Sequence, residues 1–294
     1  MRLIIRVVLI VGFIFSSACQ HLISRDEVKK AYLINSRFEM LHFDSLEFNI
    51  EAWAKINVKA DDFHKKNLVI YIEGDGRAWR TRFKLSKDPS PDDPLALKLA
   101  TLDQAENILY LARPCQYRSI KDKSCQTDKK YWSSHRYNNN VVETYNKILN
   151  QLKTKYNFKG FDLVAYSGGG VIAALLAATR SDISTLITIS SNLDHQSWTK
   201  YHNISELWGS LNLYSQIVPL SKVKQIHLWG SEDKIVPNEI NSAILRQLTR
   251  LNPNIIHKQI VENYDHHCCW KNNWAERLTQ IRLVFKKSGE SYVY

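Results

Sequence analysis

The chain has 294 residues, 44% of them hydrophobic and 23% charged, with a formal net charge of +11. That length and apolar content suffice for one large core and exclude a small staple-dependent scaffold or a disordered chain, and no repeat or linker divides the sequence. The lysines and arginines are scattered rather than gathered around stacking aromatics, so the basic balance reads as solvated surface and nucleic acid is not an expected partner.

Arg2 and Arg6 precede an apolar run over residues 7–15 and then Ser16-Ser17-Ala18-Cys19. A basic head, an apolar stretch too short to span a bilayer stably and small residues before a cleavage point define an export signal over residues 1–18. The cysteine directly after Ala18 resembles a bacterial lipoprotein processing site. That resemblance implies acylation of Cys19 and attachment of the exported chain to a membrane of the cell envelope; the same Ser-x-Ala spacing also suits ordinary secretory cleavage into the periplasm or beyond. The polar residues 19–37 then read as a tether or a loosely packed helix, and residues 38–294 as one domain.

Residues 38–44 and 46–57 alternate as an antiparallel pair at one edge of a sheet. Residues 67–72 form an apolar, β-branched strand that empties into Glu73-Gly74-Asp75-Gly76, where glycines let backbone N–H groups turn inward; the N–H of Asp75 is the expected second donor to an oxyanion. A free carboxylate there would repel that oxyanion, so the Asp75 side chain is expected to turn away toward Arg77 or Arg80. Residues 79–93, with Pro89 and Pro91, read as loop, followed by a short helix over 94–104, a strand over 107–112 and a helix over 139–156.

The most informative stretch is 161–170. A short apolar run, Phe161-Asp162-Leu163-Val164-Ala165-Tyr166, feeds Ser167-Gly168-Gly169-Gly170 and then an alanine-rich helical segment. A serine between strand and helix takes a strained conformation, which is tolerated when the residues two before and two after it are small, as Ala165 and Gly169 are. This lifts the Ser167 hydroxyl out at the carboxyl end of a sheet and aims the N–H of Gly168 at an oxygen bound there.

A nucleophilic serine needs a base, and the base an orienting acid. The strand over 223–229 ends in Gly230-Ser231-Glu232-Asp233, which makes Asp233 the acid, with Asp194 after the strand over 184–190 as competitor. The strand over 255–261 leads into Asp265-His266-His267-Cys268-Cys269, which makes His266 the base and His267 its competitor. Between these, residues 194–222 carry Trp198, Tyr201, Trp208 and Tyr214 without clean periodicity and read as a small cap, its aromatics either lining an acyl pocket or packing against the body. Residues 273–287 read as a helix covering the sheet.

The order Ser167, Asp233, His266, together with the glycine loop at 73–76, resembles the α/β-hydrolase superfamily over about residues 45–287. The resemblance implies an α/β-hydrolase fold, with a mostly parallel central sheet and helices on both faces, and hydrolysis of an ester-type bond by a Ser-His-Asp triad without a cofactor. The expected partner is a small-molecule or lipid ester. Thioester, amide or peptide substrates on the same triad remain open, as does an envelope lipoprotein that keeps the fold without turnover. Departures are Ala165 for the usual glycine, Glu73 where many esterases have histidine, and the Cys268-Cys269 pair.

In an exported chain Cys115, Cys125, Cys268 and Cys269 are expected to be oxidised. Cys115 with Cys125 and Cys268 with Cys269 is one pairing, a cross-pairing of the two sets the other. A zinc site from His266, His267, Cys268 and Cys269 is the alternative, but adjacent ligands lack the usual spacing, so no metal is expected.

Overall fold

A computed structural model describes residues 24–43, 46–57, 66–117, 125 and 128–287. The export segment and Cys19 lie outside the described residues. In chain order the strands are β1 (Glu39–Leu41), β2 (Ala52–Lys55), β3 (Asn67–Ile72), β4 (Trp79–Thr81), β5 (Lys84–Leu85), β6 (Ile108–Leu111), β7 (Gly160–Tyr166), β8 (Ile183–Ile189), β9 (Lys224–Gly230) and β10 (Ile256–Val261). Eight of them form one sheet in the order β1-β2-β6-β3-β7-β8-β9-β10. The run from β6 to β10 is parallel, whereas β2 is antiparallel to β6 and to β1, which makes the expected antiparallel edge.

The helices are α1 (Arg25–Leu33), α2 (Leu95–Leu102), α3 (Asn139–Tyr156), α4 (Gly169–Thr179), α5 (His195–Tyr201), α6 (Ile217–Leu220), α7 (Ser242–Leu251) and α8 (Trp274–Lys287). Successive strand residues point to opposite faces, so a parallel strand buried on both sides must be apolar throughout. In β3, Leu68, Ile70 and Ile72 belong to the core on one face together with residues of α3, α4 and α7, while Val69 and Tyr71 belong to the core on the other face with residues of α2 and α8. On α3 the buried Val141, Tyr145, Ile148 and Leu152 recur at helical spacing, Asn138 caps the start and Asn157 ends it in a left-handed conformation. On the other face, Trp274 of α8 donates to the Tyr71 hydroxyl at 3.1 Å, and Tyr71 and Arg282 both donate to the buried Asp103 at 2.9 Å. Those bonds fix α8 across the strands it covers.

Two N-terminal segments are more ordered than their sequences suggest. Residues 25–33, within the expected tether or loose helix, form α1, with a Ser24/Glu27 capping box. Arg25 pairs with Asp92 at 2.6 Å, Tyr32 donates to Asp93 at 2.8 Å, and the buried Lys29 pairs with Glu51. Residues 79–85, expected as loop, contain the β4–β5 hairpin, with Trp79 opposite Leu85 and Thr81 opposite Lys84. The prolines that suggested loop begin at Pro89, beyond the paired residues, and leave the hairpin its N–H donors.

Candidate active site

The parallel strands end along one edge, and the chain segments that leave β3, β7, β9 and β10 there meet. Ile72 of β3 lies opposite Ala165 of β7, so the glycine loop and the strand–helix turn are neighbours by register. Ser167 has φ 49°, the strained left-handed conformation expected of it. Its N–H donates to the Ile189 carbonyl at 2.8 Å and its carbonyl accepts from Gly170 at 3.0 Å. A side chain at Gly169 would meet the carbonyl oxygens of Glu73 and Ile72 at 2.5 and 2.6 Å, so only glycine lets α4 start this close to the end of β3.

His266 Nε2 lies 3.1 Å from Ser167 Oγ, and His266 Nδ1 lies 2.9 and 3.2 Å from the two Asp233 carboxylate oxygens. Asp233 and His266 are buried. Asp233 also accepts the N–H groups of Ile235 at 3.0 Å and Val236 at 2.7 Å, which hold its carboxylate toward the imidazole. Because a carboxylate only accepts, Nδ1 carries the proton and Nε2 is left to accept one from the serine.

The competitors are engaged elsewhere. Asp194 caps α5, accepting from the Ser197 N–H and hydroxyl at 2.9 and 2.7 Å and from Tyr214 at 2.7 Å. The Tyr166 hydroxyl donates to the His266 carbonyl at 3.0 Å and accepts from His267 Nδ1 at 3.0 Å, tying the histidine loop to the residue before the serine. Burial and the adjacent His266 ring push the His267 imidazole below its ordinary pKa.

The Asp75 side chain departs from expectation. It pairs with Arg113 at 2.8 Å and Arg136 at 2.7 Å and accepts from the Tyr137 hydroxyl at 3.2 Å. Arg77 instead lies on the rim, 3.5 Å from Asp92, and Arg80 is exposed. Burial alone would raise the Asp75 pKa, but Arg136 and Arg113 outweigh it and hold the carboxyl below its usual range. The carboxylate thus stays beside the serine turn, and two cations against one anion leave a net positive cluster there. Repulsion of an oxyanion is removed by compensation rather than by distance.

Glu73 is buried under the loop. It accepts the Gly74 N–H at 2.9 Å, the Ala96 and Leu97 N–H groups at the start of α2 at 3.4 Å, and the Tyr110 hydroxyl at 3.3 Å. Burial pushes its pKa up to about 7 against the opposing pull of those donors. With the Gly74 N–H engaged by Glu73 and the Gly74 carbonyl accepting from Gln116 at 2.9 Å, the loop is held from both sides of that residue.

Cys115 is bonded to Cys125, with 5.3 Å between their Cα atoms, and Cys268 to Cys269. The four residues of the zinc alternative are therefore otherwise engaged: the two cysteines with each other, His266 with Ser167 and Asp233, and His267 with Tyr166. Among the described residues no group of three or more His, Cys, Asp or Glu could hold a metal ion.

Ser167 and His266 open into a cavity of about 680 Å³ walled in part by Trp79, Arg136, Trp198 and Ile235. Trp198, in the segment read as a cap, donates to the Ile235 carbonyl at 2.8 Å, beside the turn that holds Asp233. That segment carries α5, a short helical turn over Leu213–Gln216 and α6. Sequence reasoning missed Tyr166, Arg113, Arg136 and Tyr137 as parts of the site. No local signal marks them, since Arg113, Arg136 and Tyr137 are far in sequence from the Asp75 they hold.

No family model and no curated protein matches the sequence. Solved structures do match the fold. A protein described as a candidate lipase from Acinetobacter baumannii AYE superposes with a TM-score of 0.61 at 13% identity, over 90% of this chain and 97% of that one. Est1E from Butyrivibrio proteoclasticus gives 0.57 at 12%, over 84% and 99%. A membrane phospholipase A, described as a bacterial virulence factor, gives 0.57 at 13%, over 91% and 92%. The chain has the α/β-hydrolase fold.

Proposed function

We propose that the protein is a serine hydrolase that cleaves an ester-type bond, as a carboxylesterase or lipase-like acyl hydrolase. The observation that carries this reading is the unbroken hydrogen-bond chain from Ser167 through His266 to Asp233. Neighbours of the same fold that are described as a candidate lipase and a membrane phospholipase A support an ester as the bond.

In the proposed reaction His266 Nε2 takes the Ser167 proton as Oγ attacks the ester carbonyl. The N–H groups of Gly168 and Asp75 donate to the tetrahedral oxyanion, and the Asp75–Arg113–Arg136 cluster adds a net positive field beside it. Asp233 holds the Nδ1–H tautomer and stabilises the imidazolium. His266 then returns the proton to the departing alkoxide, leaving an acyl-Ser167 ester. Water, deprotonated by the same imidazole, attacks that ester and releases the acid and the free serine.

A fluorophosphonate probe tests the reading, because only a serine activated by a neighbouring base attacks it quickly. Wild type should be labelled and Ser167→Ala should not; equal labelling of both would remove the assignment.

We further propose that the chain is exported and anchored in the bacterial cell envelope through lipid on Cys19. Support comes from the basic-apolar-small pattern before Cys19 and from the Cys115–Cys125 bond, which suits an oxidising compartment. Among the described residues no helix is long and apolar enough to cross a membrane. Cys19→Ser should shift the protein from the membrane to the soluble or unprocessed fraction; unchanged fractionation, with wild type lacking lipid by mass, would favour plain secretion.

A further inference from the structure

Beside the cavity that holds Ser167 lies a second one of about 600 Å³, and Trp79 and Arg136 line both. Its apolar walls come from two segments far apart in sequence: Phe83 and Leu85 of the β4–β5 hairpin, and Ile204, Leu207 and Trp208 of the segment after α5. Phe83 is 88% exposed and Trp208 76%, with Trp79 and Ile204 also open to water. A single exposed apolar side chain is ordinary, but several converging on one cavity next to a nucleophile mark a surface built to be covered.

The walls are held in place without a ligand. Arg82 donates to the Asn203 carbonyl at 3.1 Å and joins the hairpin to the opposite wall. Trp208 stands edge-on to His135 with ring centroids 4.3 Å apart, and Asn138 donates to the neighbouring Gly209 carbonyl at 3.0 Å. At the neck, Arg136 is held by Asp75 at 2.7 Å and by the Ser133 carbonyl at 2.9 Å, which fixes the position of its guanidinium.

Several polar groups in the wall are engaged within the protein, while the exposed Ser205 and Glu206 also line it. The Ser133 hydroxyl donates to the Lys129 carbonyl at 2.9 Å, the Ser134 hydroxyl lies 2.8 Å from His135 Nδ1, and Arg82 is on Asn203. What remains for a ligand is mainly apolar and aromatic area. An alkyl chain gains from burying that apolar and aromatic area.

We propose that this second cavity is a distal subsite that takes the apolar chain of the substrate, on either the acyl or the alcohol side of the bond cleaved at Ser167. It rests on the hydrolase reading above and narrows it to esters with a chain long enough to pass Trp79 and Arg136.

The test uses the purified full chain and two substrate series: p-nitrophenyl esters from acetate to laurate for the acyl side, and acetates of 1-alkanols for the alcohol side. In wild type kcat/KM should rise along one series by up to about fourfold for each methylene buried. The readout is the long-to-short ratio of kcat/KM within each variant, which cancels effects on the shared chemistry. In Phe83→Ala and in Trp208→Ala that ratio should fall at least tenfold along the series that rises, and which series rises says which side of the ester is bound. A flat profile in wild type, or an unchanged ratio in both variants, overturns the subsite.

A binding arm separates this from failure of the hydrolase reading. Calorimetry should find decyl acetate bound at least tenfold more tightly to Ser167→Ala than to Ser167→Ala carrying Phe83→Ala and Trp208→Ala. Such binding without turnover of any ester by wild type would leave the subsite standing and remove the hydrolase; equal binding to both variants would remove the subsite alone.

Discussion

The Asp75 carboxylate lies flat against the backbone of Gly168: a methyl group added at Gly168 would meet its two oxygens at 2.3 and 2.4 Å. One side chain thereby spaces the two backbone segments whose N–H groups are proposed to hold the oxyanion. It is fixed in turn by Arg113, Arg136 and Tyr137. Asp75→Ala removes that spacer and leaves two buried guanidinium groups without their anion, a defect that costs about 3 to 5 kcal/mol when a buried pair is broken. The expected outcome is a lower melting temperature together with a loss of kcat of about a hundredfold or more, since a donor displaced by about an ångström costs on that order. Unchanged kcat in a folded variant would show that the spacer has no part in turnover.

His266 and Asp233 can be separated from their neighbours by the same kind of measurement. Alanine at either should lower kcat by about three orders of magnitude, because triad members act as a unit. His267→Ala and Asp194→Ala should keep much of the wild-type rate, as their partners are Tyr166 and the start of α5. The reverse pattern in steady-state kinetics would move the roles to the other pair.

How much of this was legible depended on the range of the interaction. The helix over 139–156 could be read residue by residue because caps and apolar spacing are local signals. The turn at Ser167 was legible for the same reason, since strain, small neighbours and the following helix lie within about ten residues. Asp233 and Asp194 each follow a strand, and the Gly-x-x-Asp turn is the local signal that favours Asp233; what decides is that the turn after β9 reaches the loop after β10. The partners of Asp75 lie 38 and 61 residues away, at Arg113 and Arg136, and no pattern around Asp75 announces them. Its nearer arginines were the natural guess, and burial selected the distant ones. The β4–β5 hairpin was hidden by prolines that lie just downstream of it.

The Cys115–Cys125 bond bears on the same loop. Arg113 holds Asp75 and Gln116 holds the Gly74 carbonyl at 2.9 Å, and both flank Cys115 within two residues. Closing a loop of this length stabilises a fold by roughly 2 to 4 kcal/mol. Cys115→Ser with Cys125→Ser should therefore lower the unfolding free energy by about that amount and reduce kcat more than it raises KM, because the loop it steadies carries the N–H proposed to donate to the oxyanion. Denaturant titration and steady-state kinetics check both halves. A variant that loses stability but keeps kcat would confine the bond to a folding role.

Glu73 sets a pH dependence of stability with a definite sign. In the unfolded chain its carboxyl releases a proton near its ordinary value of 4.5, in the folded chain only at about 7. Between those values the folded state binds the additional proton, so this group's favourable contribution is complete below the lower value and is lost as pH rises through the upper one. A shift of that size corresponds to about 3 kcal/mol. Glu73→Gln keeps a carbonyl oxygen to accept the Gly74 N–H and removes the titration. Relative to wild type, the glutamine variant should therefore gain stability on going from pH 5 to pH 8, by up to about 3 kcal/mol, in urea melts at the two values. Glu73→Leu provides the functional counterpart: with no acceptor for Gly74 or for the start of α2, the loop that carries the Asp75 N–H loses its inner anchor and kcat should fall at every pH. If the stability difference between wild type and the glutamine variant is the same at pH 5 and pH 8, Glu73 does not titrate between them, and its carboxylate is held ionised by the Gly74, Ala96 and Leu97 N–H groups and the Tyr110 hydroxyl.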